Sequence, residues 1–250
     1  MTRDWDAGTY DRVSGPQVEF AERVLERLPL SGDETVLDAG CGSGRVTELL
    51  LERLPRGRVV AVDAAPSMVE HAREALGDRA MVLCQDLAEL SLDEQVDAAF
   101  SNAVFHWVPD HVALFASLYE ALRQGGRLVA QCGGAGNVEA FHTAARAVGA
   151  RDPYAAHLSG WTGPWNFATA EQTAARLGAA GFTEVETWLE PHPVWPDEPE
   201  SYLRTVCLGY HLERLPEELH RDYVRDVLAG LGDTPELDYV RLNIDARRPA

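Results

Sequence analysis

Three glycines at two-residue spacing, Gly40, Gly42 and Gly44, follow an apolar run and an acidic residue in Thr35-Val36-Leu37-Asp38-Ala39-Gly40-Cys41-Gly42-Ser43-Gly44-Arg45. Glycine lets the backbone turn tightly and lets a ligand approach where a Cβ would obstruct it. Val36 and Leu37 read as the end of a buried strand, and Val46-Thr47-Glu48-Leu49-Leu50-Leu51 resumes with helical character. A strand-to-helix turn of this kind is where α/β folds hold nucleotide-like ligands. Arg45 stands where the dinucleotide fingerprint G-x-G-x-x-G needs its third glycine, which argues against NAD or FAD. A second carboxylate, Asp63, ends the apolar run Arg58-Val59-Val60-Ala61-Val62-Asp63. Its distance from the glycines is roughly that at which such folds place the acceptor for ribose hydroxyls.

These residues resemble the class I S-adenosylmethionine-dependent methyltransferases, and the resemblance extends over nearly the whole chain. That family's first strand and turn, hydrophobic-hydrophobic-(D/E)-x-G-x-G-x-G, is matched by Val36 through Gly44. Asp63 matches its carboxylate after the second strand, and Asp86, in Met81-Val82-Leu83-Cys84-Gln85-Asp86-Leu87, the acidic residue after the third. The fourth strand, Val96 to Asn102, runs into Ala103-Val104-Phe105-His106-Trp107-Val108. This last segment, the opening Asp4-Trp5-Asp6 with Tyr10, and Tyr239-Val240-Arg241-Leu242 are similar to the trans-aconitate methyltransferase group, small-molecule carboxyl O-methyltransferases. The chain departs from that group at His106, where the group favours glutamine, and between Gly133 and Thr169.

The resemblance implies S-adenosyl-L-methionine as cofactor, S-adenosyl-L-homocysteine as its product, and no metal. On that reading Asp63 accepts from both ribose hydroxyls, and its place at a strand end predicts that its replacement leaves folding largely intact. Asp38 orients the turn and faces the ammonium group, while the backbone of Gly40, Cys41 and Gly42 passes the amino-acid portion. Asp86 accepts from the adenine amino group, Leu87 donates its backbone N–H to a ring nitrogen, and Ala64 and Met68 pack on adenine, although Met68 fits an ordinary core equally well. Asn102 and Ala103 lie beside the methionine portion, and Tyr10 belongs to an N-terminal segment closing over the sulfonium.

Trp5, Trp107, Trp161 and Trp165 are candidate substrate-pocket walls or packing residues, and Arg45, Arg146 and Arg151 are candidate anchors for an anion. His106 is the candidate catalytic residue. It is placed to act as a base for a hydroxyl, amine or carbon acceptor, or to serve as a polar wall. A carboxylate acceptor, already ionised at neutral pH, needs no base.

The elements that must position these groups alternate as strands and helices through the first half, the pattern of a parallel sheet with crossover helices. Strands are expected over about 35–39, 58–62, 80–84, 96–101, 127–132, 182–189 and 237–246. Helices are expected over about 17–28, 44–54, from Pro66, over 111–122 with Gln124-Gly125-Gly126 as its stop, over 135–149, from Thr169, and within 196–231. Thr169 to Gln172 forms a capping box weakened by glutamine in place of glutamate. The family implies a Rossmann-like α/β fold: a seven-stranded, mostly parallel sheet in the order 3-2-1-4-5-7-6, strand 7 antiparallel. Helices cover both faces, and helical additions form a lid. A single domain is expected, with an N-terminal lid over 1–30, a cofactor-binding half over 31–134 and a substrate-side half over 135–250.

The 250 residues carry a formal net charge of −18. That balance disfavours nucleic-acid partners, which need a Lys/Arg surface. No apolar run approaches the roughly 18 residues of a membrane span, and the charged N-terminus predicts no leader, so no membrane partner and a cytoplasmic location are expected. Cys41, Cys84, Cys132 and Cys207 lack metal-site spacing and read as packing residues. The leading expectation is methyl transfer to a small-molecule substrate, a carboxylate oxygen first. The alternatives are N-, C- or hydroxyl O-methylation in natural-product or acyl-carrier metabolism, and a non-catalytic cofactor-binding protein. The sequence carries no signal for oligomeric state.

Overall fold

A computed structural model of the chain describes residues 15–232 and 235–250. Tyr10 and Trp5 lie outside the described residues. A seven-stranded sheet is built from β1 (Thr35–Ala39), β2 (Arg58–Asp63), β3 (Met81–Cys84), β4 (Val96–Asn102), β5 (Leu122–Gly133), β6 (Thr183–Pro191) and β7 (Val240–Arg247). Its order is β3-β2-β1-β4-β5-β7-β6, with β7 antiparallel to both neighbours and the remaining pairs parallel, as expected. The main helices are α1 (Gly15–Glu26), α2 (Arg45–Arg53), α3 (Pro66–Leu76), α4 (His111–Ala121), α5 (Glu139–Gly149), α6 (Ala170–Ala180) and α7 (Glu217–Leu231).

The central strands read as nearly unbroken apolar runs because both faces of a parallel sheet are covered. Val36, Val59, Ala61 and Phe100 pack on one face with Val24 of α1, Leu50 of α2 and Val69 of α3. Leu37, Val62 and Ala99 face the other way, onto Leu114 and Leu118 of α4 and Leu177 of α6. A third cluster, with Phe141, Val148, Leu158, Leu212, Tyr223 and Val227, knits α5 and α7 to the short helical segments between them. These are the helical additions, gathered beyond the carboxyl ends of the parallel strands.

Several boundaries differ from the sequence pattern for local reasons. Residues 15–26, expected within the lid, bury Phe20, Ala21, Val24 and Leu25, and α1 packs on β4 and β5. α5 starts at Glu139, not at 135, because Gly136 (φ 83°) and Val138 (φ 46°) hold left-handed backbone that no helix contains. β5 starts at Leu122, which pairs with Val96 before an irregularity; the ladder resumes at Arg127. Gln124-Gly125-Gly126 therefore lies within a bulged strand, and α4 ends before it, at Ala121. The last strand begins at Val240, with Leu237 making an isolated bridge to Val194. The capping box at Thr169 is complete: its hydroxyl accepts the Gln172 N–H at 3.2 Å and Gln172 Oε1 accepts the Thr169 N–H at 3.1 Å. Among the described residues no helix is long and apolar enough to cross a membrane.

Candidate active site at the carboxyl edge of the sheet

A cavity of about 390 Å³ opens where β1, β2, β3 and β4 end, under the helical additions. Its floor is the glycine turn. Gly40 (φ 89°) lies so close to Val104 that a Cβ would collide with that side chain, whereas a Cβ on Gly42 (φ 53°) would meet nothing within 4 Å. The N–H groups of Gly40 and Cys41 both donate to the Val62 carbonyl, at 2.7 and 2.9 Å, which ties the turn to β2.

Three carboxylates stand at consecutive strand ends. Asp38 is 2% exposed and accepts the Thr47 hydroxyl at 2.7 Å. Desolvation pushes its carboxyl up to about 7; the Thr47 bond opposes the rise and the Asp63 charge adds to it. Asp63 accepts the Gly42 N–H on one oxygen and the Ala65 N–H on the other, each at 2.9 Å. Desolvation also raises its pKa, against those two backbone bonds and one from Ala64. Asp63 is thus more than a strand-end carboxylate, because it braces the glycine turn against the start of α3. Asp86 is exposed, and one oxygen accepts the Ala88 N–H at 2.9 Å, capping the helical turn Leu87–Glu89. In register, Asp38 pairs with Ala61, two residues before Asp63, and Asp63 pairs with Cys84, two residues before Asp86.

Ala64, Met68, Leu87, Asn102 and Ala103 line the same cavity. Ala103 has φ 62° and donates its N–H to the Gln131 carbonyl at 2.7 Å; this bend swings Val104 over Gly40. The turn Phe105–Trp107 follows, and the ring of His111 bonds the Phe105 carbonyl at 2.9 Å. His106, 6% exposed, accepts the Gly133 N–H on Nδ1 at 3.2 Å. A neutral imidazole has a single ring lone pair. With that pair engaged at Nδ1, the proton sits on Nε2, which is a donor. Desolvation, then the nearby Arg241 charge and His111, hold the ring well below its ordinary pKa. The geometry therefore does not present the lone pair that a base at Nε2 requires.

Trp107 and Trp165 line the cavity. Trp161 does not: it stands behind Trp165, at 5.7 Å between ring centroids, with the Arg214 guanidinium over its face. Of the arginines singled out, Arg45 lines the cavity beside the glycine turn. Arg146 pairs with Glu139 at 2.5 Å and Arg151 is exposed. Cys41 and Cys207 line the cavity, Cys132 is buried, and Cys84 is exposed, not packed.

The cation that sequence reasoning missed is Arg241. It is 3% exposed and lines the cavity from β7, where it pairs in register with Gly133, the donor to His106. Its Nε donates to Gln131 Oε1 at 3.2 Å, Gln131 Nε2 to Asn243 Oδ1 at 2.7 Å, and Asn243 Nδ2 to Glu190 Oε2 at 3.3 Å. Its signal was available. Arg241, Asn243 and Asp245 alternate with apolar residues in a strand that is buried on both faces, and long charged side chains are seldom buried without a task.

The methyltransferase domain family matches residues 37–130. A trans-aconitate 2-methyltransferase of Azoarcus sp. is 33% identical over 234 residues, 91% of this chain and 89% of that one. Another, of Methylobacterium nodulans, is 34% identical over 187 residues, 74% of this chain and 67% of that one. In fold, the chain is similar to a phosphoethanolamine N-methyltransferase 2 of Haemonchus contortus solved with S-adenosyl-L-methionine. The TM-score is 0.64 at 17% identity, covering 98% of this chain and 57% of that chain. Sequence similarity sustained along nearly the full length of both chains, on a cavity floored by this turn, makes the chain a member of the class I S-adenosylmethionine-dependent methyltransferases.

Proposed function

We propose that this methyltransferase acts on a carboxylate oxygen of a small molecule. Arg241 carries the reading: a buried guanidinium at the cavity wall, in register with the residue that holds His106. Guanidinium is a permanent cation whose fork of donors matches a carboxylate, and the Nε2–H of His106 adds a neutral donor. The names of the trans-aconitate 2-methyltransferases similar to this chain agree with that choice.

The cofactor fits the same cavity by its chemistry. A turn whose Gly42 faces open space and three carboxylates at successive strand ends suit a ligand with an ammonium group, a diol and an adenine amino group. On this reading Asp38 meets the ammonium, Asp63 the ribose hydroxyls, and Asp86 with Leu87 the adenine, on which Ala64 and Met68 pack. The backbone at Gly40, Cys41, Gly42, Asn102 and Ala103 borders the amino-acid portion. S-Adenosyl-L-methionine supplies an electrophilic methyl on a good leaving group. The protein's part is to hold the acceptor in line and keep water out. Arg241 and His106 Nε2–H orient the ionised acceptor, which has no proton to give up, and the ring walls of the cavity exclude solvent.

Under this mechanism His106→Gln, which keeps an N–H donor, changes kcat by less than about tenfold, against the roughly 10²–10⁴-fold expected for a lost general base. At saturating cofactor, kcat stays flat from pH 6 to 8. Single-turnover methylation of both proteins across that range is the measurement. A loss of a hundredfold or more in a folded His106→Gln protein would transfer the assignment to a hydroxyl or amine acceptor.

Asp38 predicts where pH does matter. In the cofactor-free protein its carboxyl titrates near 7, against 3.8 ordinarily. Its contribution to stability is full below the lower value and is lost as pH rises through the higher one. An ammonium partner needs the ionised form, so affinity for S-adenosyl-L-homocysteine should rise about tenfold from pH 6 to 8, with proton release on binding at pH 6. Calorimetry in buffers of different protonation enthalpy reads both effects, and Asp38→Asn should remove both. Equal affinities across the range in the unaltered protein would take the ammonium away from Asp38.

A further inference from the structure

We infer that Gln131 is a positioning residue for the methyl acceptor, and that its task requires an uncharged side chain: it fixes the Arg241 guanidinium without cancelling any of its charge. The inference rests on the carboxylate reading above and concerns how the anchoring cation is aimed. An arginine buried to receive an anion faces two opposed requirements. Its N–H groups need acceptors, since a buried donor left unmade is costly, and a protein carboxylate would be the strongest acceptor available. The same carboxylate would cancel the field that the ligand needs. An amide oxygen meets the first requirement and leaves the second untouched.

Arg241, Gln131 and Asn243 are all buried, and Gln131 of β5 stands opposite Asn243 of β7 in register. The ends of their hydrogen-bonded relay fix its direction, because a guanidinium only donates and a carboxylate only accepts. Arg241 Nε therefore meets the oxygen of Gln131, at 3.2 Å. Gln131 Nε2 then donates to Asn243 Oδ1 at 2.7 Å, and Asn243 Nδ2 to Glu190 Oε2 at 3.3 Å, where the relay reaches an exposed side chain. Neither amide can turn over without setting donor against donor, so Gln131 is held with its oxygen toward Arg241. The Phe20 ring of α1 lies 4.7 Å from the guanidinium and adds a second uncharged contact. The charge itself acts at the cavity: next to desolvation, it is the main cause that holds the His106 ring below its ordinary pKa.

The test compares Gln131→Glu with Gln131→Met. Glutamate keeps the shape of glutamine and still accepts from Arg241 Nε, but sets a negative charge against the guanidinium. Methionine keeps the length, adds no charge and removes the acceptor. Methyl transfer from labelled S-adenosyl-L-methionine is measured with trans-aconitate, succinate and trans-cinnamate, and the acid with the highest kcat/KM in the unaltered protein is the probe. Gln131→Glu should raise its KM about a hundredfold and Gln131→Met about tenfold, with kcat less affected and affinity for S-adenosyl-L-homocysteine unchanged. The order is diagnostic, because glutamate would be the better replacement for a glutamine that merely holds the strands together. Arginine Nε–H resonances report the geometry without any acceptor, that of Arg241 being identified by its loss in Arg241→Met. Its hydrogen exchange should be slow in the unaltered and Gln131→Glu proteins and at least about tenfold faster in Gln131→Met. Either variant decides if the other fails to fold: an unchanged KM in Gln131→Glu, or unchanged exchange in Gln131→Met, would overturn the inference and leave the carboxylate reading standing. A larger KM effect for Gln131→Met than for Gln131→Glu would do the same. Failure of all three acids to be methylated, in a protein that binds S-adenosyl-L-homocysteine, would overturn the carboxylate reading and this inference with it.

Discussion

Arg241→Met is expected to lower kcat/KM for the carboxylate acceptor by roughly 10²–10³-fold, because truncating one side of a buried, hydrogen-bonded charge pair costs about 2–5 kcal/mol. Methionine comes close to the arginine stem in length and flexibility; what disappears is the charge, together with the Nε donation to Gln131 Oε1 and the guanidinium's place over the Phe20 ring. Affinity for S-adenosyl-L-homocysteine should stay within about twofold, since no part of the proposed cofactor contact involves β7. Arg241→Lys separates charge from shape. An ammonium is a point charge without the planar fork, so this variant should recover part of the loss, mainly in KM. Steady-state kinetics with each variant, beside thermal unfolding to verify the fold, is the measurement. A loss below tenfold in a folded Arg241→Met protein would place the acceptor's anion elsewhere.

Asp63→Ala should reduce affinity for S-adenosyl-L-homocysteine by about 10²-fold or more. Each hydrogen bond to a charged acceptor contributes roughly 1.5–3 kcal/mol, and on the proposed reading Asp63 accepts from two ribose hydroxyls. The same substitution also strips the Gly42 and Ala65 N–H groups of their acceptor. The expectation from the sequence, that folding is barely touched, is accordingly revised: Tm should fall measurably. Asp63→Asn distinguishes the two roles. Its single carbonyl oxygen can serve one backbone N–H, so part of the thermal loss returns while the paired acceptor for the diol does not. Calorimetry and thermal melts decide the matter. Undiminished affinity in a folded Asp63→Ala protein would assign the ribose to another residue.

The sheet was legible because parallel strands write themselves as uninterrupted apolar runs; Thr35–Ala39 emerged with both boundaries correct. The glycine turn and the carboxylates at Asp38, Asp63 and Asp86 were legible for a related reason, as abrupt polar residues closing such runs. What escaped depends on contacts distant in sequence. The tautomer of His106 is set by the Gly133 N–H, 27 residues away. Arg241 faces the cavity because antiparallel pairing sets it opposite Gly133, a register that no local pattern prints. Trp161 failed as a pocket wall because composition marks an aromatic loop without saying which ring stands in front. Asp63's second task, bracing the turn, needed the two backbone N–H groups to be seen beside it.

The stepwise pairing of β1, β2 and β3 carries its own consequence. Each carboxylate stands one strand over and two residues farther out than the last: Asp38, then Asp63, then Asp86. With strands about 4.8 Å apart and about 3.3 Å per residue, the treads of this staircase lie roughly 8 Å apart along its diagonal. Its pitch is written in hydrogen-bond register, which changes only in whole residues. An elongated ligand that touches all three treads is therefore measured against a ruler with coarse, fixed graduations. Loop mutations can alter what each tread grips, but lengthening the ruler means re-pairing a strand, and a slip of a single residue would turn its side chains to the opposite face of the sheet.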